Sequence, residues 1–170
     1  MARRLPQTIT EEEFVKVIRR VRKDHHKVAF ILGFYQGLRI SEVINLRPEN
    51  IRFREHIIEI KQGKGQKDRH IPIVKPILMG EQTVIRALRK LPVPCSIRAL
   101  QISFKGYVNK ILKRDLHFHT LRHGNATWLL NKKKWNIRNV QSFLGHSRLE
   151  TVQIYTHVSP QDLVDLEWGE

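Results

Sequence analysis

Ile57-Ile58-Glu59-Ile60-Lys61-Gln62-Gly63-Lys64-Gly65-Gln66-Lys67-Asp68-Arg69-His70-Ile71-Pro72-Ile73-Val74 is the stretch that decides the fold class. Ile57, Ile58 and Ile60 on one side, and Ile71, Ile73 and Val74 on the other, are β-branched residues that favour a pleated, half-buried surface. Between them Gly63-Lys64-Gly65-Gln66 is a turn signal, so the stretch reads as an antiparallel hairpin, or as a three-stranded sheet if Ile51 and its neighbours join it. Outward from it in both directions the periodicity is helical. Toward the N-terminus, Thr10 and Glu13 stand at the spacing of a capping box. Phe14, Val17, Ile18 and Val21 then predict a helix to about residue 23. Val28 to Tyr35 is apolar nearly all round, as a buried helix is, and Gly37 suits its end. A short helix follows from Arg39 through Ile40, Val43 and Ile44, closed by Pro48.

Toward the C-terminus, Pro76 is expected to open a helix carrying Val84, Ile85 and Leu88, and Pro92 with Pro94 marks a loop. Ile97, Leu100, Phe104, Val108 and Ile111 define the next helix, and three more are expected near 119–130, 137–144 and 148–155. Gly145 ends the second of these, and Ser147 with Glu150 caps the third. Pro160 suits the first turn of a short terminal helix. The expected class is α+β: a mainly helical domain with one small antiparallel sheet. No Gly/Ser linker, repeat or low-complexity segment divides the 170 residues, so a single domain over 1–170 is expected.

Charge limits the function. Lys and Arg total 31 against 16 acids, a net of +15, and such an excess makes a field that attracts polyanions. Double-stranded DNA or another nucleic acid fits it better than a membrane surface, since no long basic amphipathic helix with an aromatic face stands out. No apolar run approaches the ~20 residues of a membrane span. The opening Met-Ala-Arg-Arg has no apolar stretch behind it to make a secretory signal. The one cysteine, Cys95, leaves no internal disulfide and suits a reducing, cytoplasmic setting.

Four segments carry candidate chemistry, and each alone is a weak signal that ordinary surface or packing would also explain. In Gly37-Leu38-Arg39-Ile40-Ser41-Glu42, an arginine at a helix start faces the unfavourable end of the dipole, unless it pairs with Glu42 or Glu49. The Gly63–Arg69 turn could lay cations against phosphate, or be a solvated tip. In His119-Thr120-Leu121-Arg122-His123, His119 and Arg122 share a helix face and could serve one oxyanion with an imidazole and a guanidinium fork. His119 and His123 are also spaced as in zinc peptidase helices, but Thr120 stands where the glutamate of that motif would be. Leu144-Gly145-His146-Ser147 is followed by Tyr155-Thr156-His157.

Taken in order, these segments resemble the tyrosine recombinase, or phage integrase, family along the chain from about Thr8 to His157. The resemblance implies the integrase-like fold of DNA breaking-rejoining enzymes. It implies site-specific DNA recombination: Tyr155 attacks a strand, leaving a 3′-phosphotyrosyl bond and a free 5′-hydroxyl that later rejoins. Neither metal nor cofactor is implied. Arg39 and Arg122 would clamp the non-bridging phosphate oxygens and Lys64 would protonate the leaving 5′-oxygen. His119 would assist proton transfer, His146 would bond the phosphate and Glu42 would support the site. Lys67, Arg69 and Arg148 are expected at DNA phosphates, and His123, His157 and Trp128 in packing.

Family members also carry a helical DNA-binding domain (the core-binding domain) ahead of the point where this sequence starts, and they assemble on DNA as a tetrameric synapse, on the microbial nucleoid or on mobile-element DNA. Only about ten residues precede the first helix, so the N-terminal domain is expected to be absent from this chain. Gly124-Asn125 depart from the Thr-Phe type pair common in the family, at a cost of about 1 kcal/mol for glycine inside a helix. Two other functions are compatible with the same residues. One is a type IB topoisomerase, which uses related tyrosine chemistry; the other is a non-catalytic DNA-binding regulator on the inherited fold.

Overall fold

The computed structural model describes residues 7–62, 68–145 and 160–169. The Gly63–Lys67 turn tip, with Lys64 and Lys67, lies outside the described residues, as do His146, Arg148, Tyr155, His157 and the expected 148–155 helix.

The capping box at the start forms as its spacing dictates. The Glu13 amide donates to Thr10 Oγ1 at 3.2 Å, and Glu13 Oε2 accepts from the Thr10 amide at 3.0 Å. Helix α1 covers Glu11–Ile18, shorter than the apolar spacing predicts. The Arg20 and Val21 amides bond three residues back, to Val17 and Ile18; this tightens the last turn and swings Val21 into the core. Helix α2 (Asp24–Tyr35) is the central strut, with Phe30, Leu32, Phe34 and Tyr35 fully buried. Phe14 stacks on Phe34 at 4.6 Å between ring centroids. Helix α3 covers Ile40–Asn45, and a 3-10 turn from Pro48 leads to the sheet.

The sheet is three-stranded and antiparallel in the order β1 (Ile51–Arg52), β2 (Ile57–Ile60), β3 (Arg69–Pro72). The register pairs Ile58 with Ile71 and Ile60 with Arg69, and Ile57, Ile58, Ile60 and Ile71 are buried against the core. The helices that follow are α4 (Gln82–Leu88), α5 (Ile97–Leu112), α6 (His119–Asn131), α7 (Ile137–Leu144) and α8 (Pro160–Trp168). The mainly helical α+β architecture is therefore the observed one.

Pro76 does not open a helix; α4 starts six residues later. The amides of Ile77 and Leu78 are drawn instead to the buried carboxylate of Glu11, at 3.1 and 2.9 Å. That carboxylate also accepts from the Tyr35 hydroxyl at 2.9 Å and from Trp128 Nε1 at 2.8 Å. One acid thus ties α1, α2, α6 and the segment before α4 together. Helix α8 docks beside β3: Trp168 Nε1 donates to the Ile73 carbonyl at 2.8 Å, and the buried Glu167 takes Lys133 Nζ at 2.7 Å.

The helix-interior glycine at 124 has a steric reason. A Cβ there would lie 2.5 Å from the Ile9 carbonyl oxygen and 3.1 Å from the Phe34 ring. Helix propensity favours Gly124→Ala by about 1 kcal/mol. Overpacking against a backbone atom that cannot rotate away costs roughly 1–3 kcal/mol. The clash wins: Gly124→Ala is expected to lower the denaturant midpoint, and a raised midpoint would show that the segment around Ile9 yields.

Candidate active site

The site is built where three chain reversals meet. Gly37 follows α2 with φ +59°, and a Cβ on it would lie 2.5 Å from the Leu144 side chain. Gly145 ends α7 in the same left-handed conformation, φ +67°, and a Cβ there would meet Arg69 Cδ at 2.8 Å. Only glycine meets both demands without strain. This packing brings the Gly37-Leu38-Arg39 turn, the start of β3 and the end of α7 into contact.

Glu42 occupies the junction. Three residues after Arg39, it stands at the N3 position of α3, where a carboxylate can reach back to the helix start. Its Oε2 accepts the Arg39 amide at 2.8 Å, and its Oε1 pairs with Arg39 Nη1 at 3.1 Å. Arg69 forks onto the same carboxylate, Nη1 to Oε1 at 2.7 Å and Nη2 to Oε2 at 3.1 Å. Gln62 Nε2 reaches Oε1 at 3.4 Å. Burial on its own would raise the Glu42 pKa. The hydrogen bonds and charge of Arg69, the Arg39 amide and the nearby charge of Arg122 outweigh it and bring the value down to about 2.

Linkage turns that depression into a pH dependence. A carboxyl with a folded-state pKa below its unfolded value stabilises the fold fully above the unfolded pKa and loses the contribution as pH falls. The contribution of Glu42 is on the order of 3 kcal/mol, present above about pH 5 and lost as pH falls toward about 2. Glu42→Gln is expected to flatten the acid limb of a stability-against-pH curve measured by denaturant titration; an unchanged limb would assign the acid sensitivity to other carboxyls.

Arg122 comes from the first turn of α6 and is only 3% exposed. Its Nη1 donates to the Gly37 carbonyl at 2.7 Å, and its Nη2 donates to the Leu144 carbonyl. These two carbonyls sit two residues before Arg39 and before His146 in sequence, and one guanidinium ties the Gly37 turn to the end of α7. Burial lowers the Arg122 pKa first, and the Arg39 and Arg69 charges lower it further, to about 10; it stays charged at neutral pH. Each terminal nitrogen keeps a second N–H, so both carbonyl bonds are compatible with a phosphate oxygen as a further acceptor.

Arg39 is more open, its side chain 41% exposed. With His119 it lines a cleft of about 480 Å³ that also takes in Ser41, Lys105 and His117. His119, the first residue of α6, is exposed, and its ring meets that of His123 edge-on at 4.5 Å.

The structure thus brings Arg39, Glu42, Arg69 and Arg122 into one cluster, with His119 beside Arg39 on the cleft. Arg69, expected at DNA phosphate, is engaged within the fold. Its guanidinium is bonded by Glu42 and, through Nε, by the Phe143 carbonyl at 3.4 Å, and its side chain is 13% exposed. Sequence reasoning also missed Gln62, for which no local signal exists. Trp128 is buried in packing as expected.

The described groups define a class before any comparison: a helical domain that gathers guanidinium groups around one carboxylate, at the rim of an open, basic cleft. The phage integrase family model matches residues 7–162, and the chain belongs to that family. A tyrosine recombinase of Thermosipho africanus is 37% identical over 177 residues, covering 96% of this chain and 61% of the relative. The chain thus spans about three fifths of the length of that relative. Among solved structures, the integrase of mycobacterium phage Brujita superposes with a TM-score of 0.76 at 19% identity, over 98% of this chain and 58% of that one. A lambda integrase tetramer bound to a Holliday junction gives 0.66 at 17% identity, over 88% and 49%. At these identities the structural likeness establishes the fold.

Proposed function

We propose that the chain is the catalytic domain of a site-specific tyrosine recombinase, which cleaves and rejoins DNA strands through a 3′-phosphotyrosyl intermediate. The observation that carries this reading is the junction at Glu42. Arg39 and Arg69 bind it, Arg122 lies within its field, and Gln62 and Arg69 stand either side of the Lys64 segment in sequence. The Leu144 carbonyl on Arg122 lies two residues before His146. Two described chain segments that adjoin Lys64 and His146 in sequence, those ending at Gln62 and at Gly145, thus lie at the cluster.

The chemistry follows from charge. Attack on a phosphodiester spreads negative charge over the phosphate oxygens, and fixed cations in a partly desolvated site stabilise it. In this reading Arg39 and Arg122 hold the non-bridging oxygens, and Glu42 and Arg69 keep Arg39 in place. Tyr155 attacks phosphorus and its proton is taken up with help from His119. Lys64 protonates the departing 5′-oxygen, and His146 adds a hydrogen bond. The covalent step keeps the phosphodiester energy in the phosphotyrosine, so a 5′-hydroxyl can reseal the strand.

Double-stranded DNA is the proposed partner, supported by the net charge of +15. Lys67 and Arg148 are proposed at its phosphates. Self-association on DNA is proposed from likeness to the tetrameric lambda complex. Among the described residues no helix is long and apolar enough to cross a membrane. The test is incubation with nicked duplexes that trap the cleaved state: a covalent protein–DNA band on a denaturing gel is expected. Binding without a band across a panel of candidate sites would favour a regulator, and relaxation of supercoils without strand exchange would favour a topoisomerase.

A further inference from the structure

At the opposite end of α2 from Arg39, roughly 18 Å along the helix, three potential metal ligands come together. His25 and His26 lie in the first turn of α2, and Cys95 lies in the turn before α5. One ligand atom from each falls within 4.8 Å of the others. Cys95 Sγ is 3.4 Å from His26 Nε2. A tetrahedral zinc ion with ordinary Zn–S and Zn–N bonds holds sulfur and nitrogen roughly 3.5 Å apart, so this pair already has ligand spacing. The rings of His25 and His26 stand edge to face at 4.5 Å.

The surroundings are built to orient the inner ligand. His26 is 6% exposed, and its Nδ1 is 2.7 Å from Ser103 Oγ. In the tautomer that puts the proton on Nδ1, this hydrogen bond fixes the ring and leaves the Nε2 lone pair facing the cysteine. A second hydrogen bond behind a ligating imidazole is the usual device for setting its tautomer and orientation. The Cys95 turn is held in turn by its own amide, which donates to the Val93 carbonyl at 3.0 Å, and by Ser96, which caps α5. The Lys90–Asp24 pair at 2.7 Å ties the end of α4 to the start of α2 beside it. His25 and Cys95 are both partly exposed, which leaves a route for an ion from solvent.

We propose that His25, His26 and Cys95 form a three-ligand binding site for a borderline divalent transition metal, zinc in the first instance. One thiolate and two imidazoles supply three tetrahedral positions, and water takes the fourth. On binding, the Cys95 thiol loses its proton to solvent as the metal–sulfur bond forms, so affinity rises with pH. The ion clamps the start of α2 to the turn before α5, remote from the Glu42 cluster. It therefore stabilises the fold rather than entering the reaction.

The 170-residue chain, stripped of metal and reduced, is titrated with cobalt(II) as a spectroscopic stand-in for zinc. A near-ultraviolet thiolate-to-cobalt charge-transfer band saturating at one equivalent, and bleached by zinc, is expected. The chain has a single cysteine, so that band reports Cys95 alone. Cys95→Ser abolishes it, His25→Ala weakens cobalt binding by about tenfold or more, and Ser103→Ala weakens it by about tenfold through the orienting hydrogen bond. His26→Gln removes the inner ligand; if it fails to fold by circular dichroism, the partly exposed His25 decides. Zinc also raises the melting temperature of the wild type but not of Cys95→Ser. Absence of the band, or a band indifferent to His25→Ala, overturns the proposal.

Discussion

Tyr155→Phe is expected to bind duplex DNA with unchanged affinity and to form no covalent adduct at all. The substitution removes one oxygen and keeps the ring and the net charge, so only the proposed nucleophile is gone. The loss is total for this step because no neighbouring group replaces a covalent nucleophile. Two measurements on one sample read it: mobility of the complex on a native gel, and the protein–DNA band after denaturation with a nicked substrate. A persisting band would move the nucleophile elsewhere in the chain and end the proposed mechanism. A native gel without a shift would place Tyr155 in binding rather than bond making.

The second large effect is expected at Arg122, where structure and chemistry coincide. Arg122→Ala leaves the buried carbonyls of Gly37 and Leu144 without their donor, at about 1–3 kcal/mol each. It also removes a cation from the Arg39–Glu42–Arg69 cluster. An unstable protein alone would explain lost activity, so the informative variant is Arg122→Lys. Lysine keeps a positive charge at the same place, yet a single ammonium cannot span two carbonyls and a phosphate as a planar fork does. Single-turnover cleavage by folded Arg122→Lys is expected to fall by about 10²–10³, while its melting temperature stays nearer to wild type than that of Arg122→Ala. Wild-type cleavage by Arg122→Lys would reduce Arg122 to a structural brace.

Arg69 and Arg122 show how burial divides arginines that look alike in sequence. Both lie in basic, motif-bearing segments, and both are expected at phosphate from the family resemblance. Arg69 spends its fork on Glu42, which depresses that carboxyl to about 2, and thereby holds the Arg39 side chain between carboxylate and cleft. Arg122 has no directly bonded carboxylate among the described residues. Its charge is carried by backbone carbonyls and by the more distant field of Glu42, and its remaining donors are the ones suited to an anionic substrate. A buried guanidinium with neutral partners is costly in a protein that only needs to be stable. The placement makes sense if a phosphate completes the site.

Local spacing alone is enough to read most helices of the described residues, the antiparallel strands around the Gly63–Lys67 segment, the Thr10–Glu13 cap and the glycines at 37 and 145. Each of these is dictated within three or four residues, by backbone hydrogen-bond geometry or by the conformations a side chain permits. The ordered motifs likewise pointed to the family, which the match over residues 7–162 bears out, because the order and spacing of residue types do not depend on knowing where they meet. The partner each side chain would choose across tens of residues was not readable. That Glu11 would pull the amides of Ile77 and Leu78 away from a helix, that Ile9 would demand a glycine at 124, and that Arg69 would bind Glu42 are results of packing. So is the meeting of the adjacent His25 and His26 with Cys95, which lies 69 positions beyond His26 in the chain. Hydrogen bonds and ion pairs act over a few ångströms, so only the folded chain decides which distant groups come within their reach.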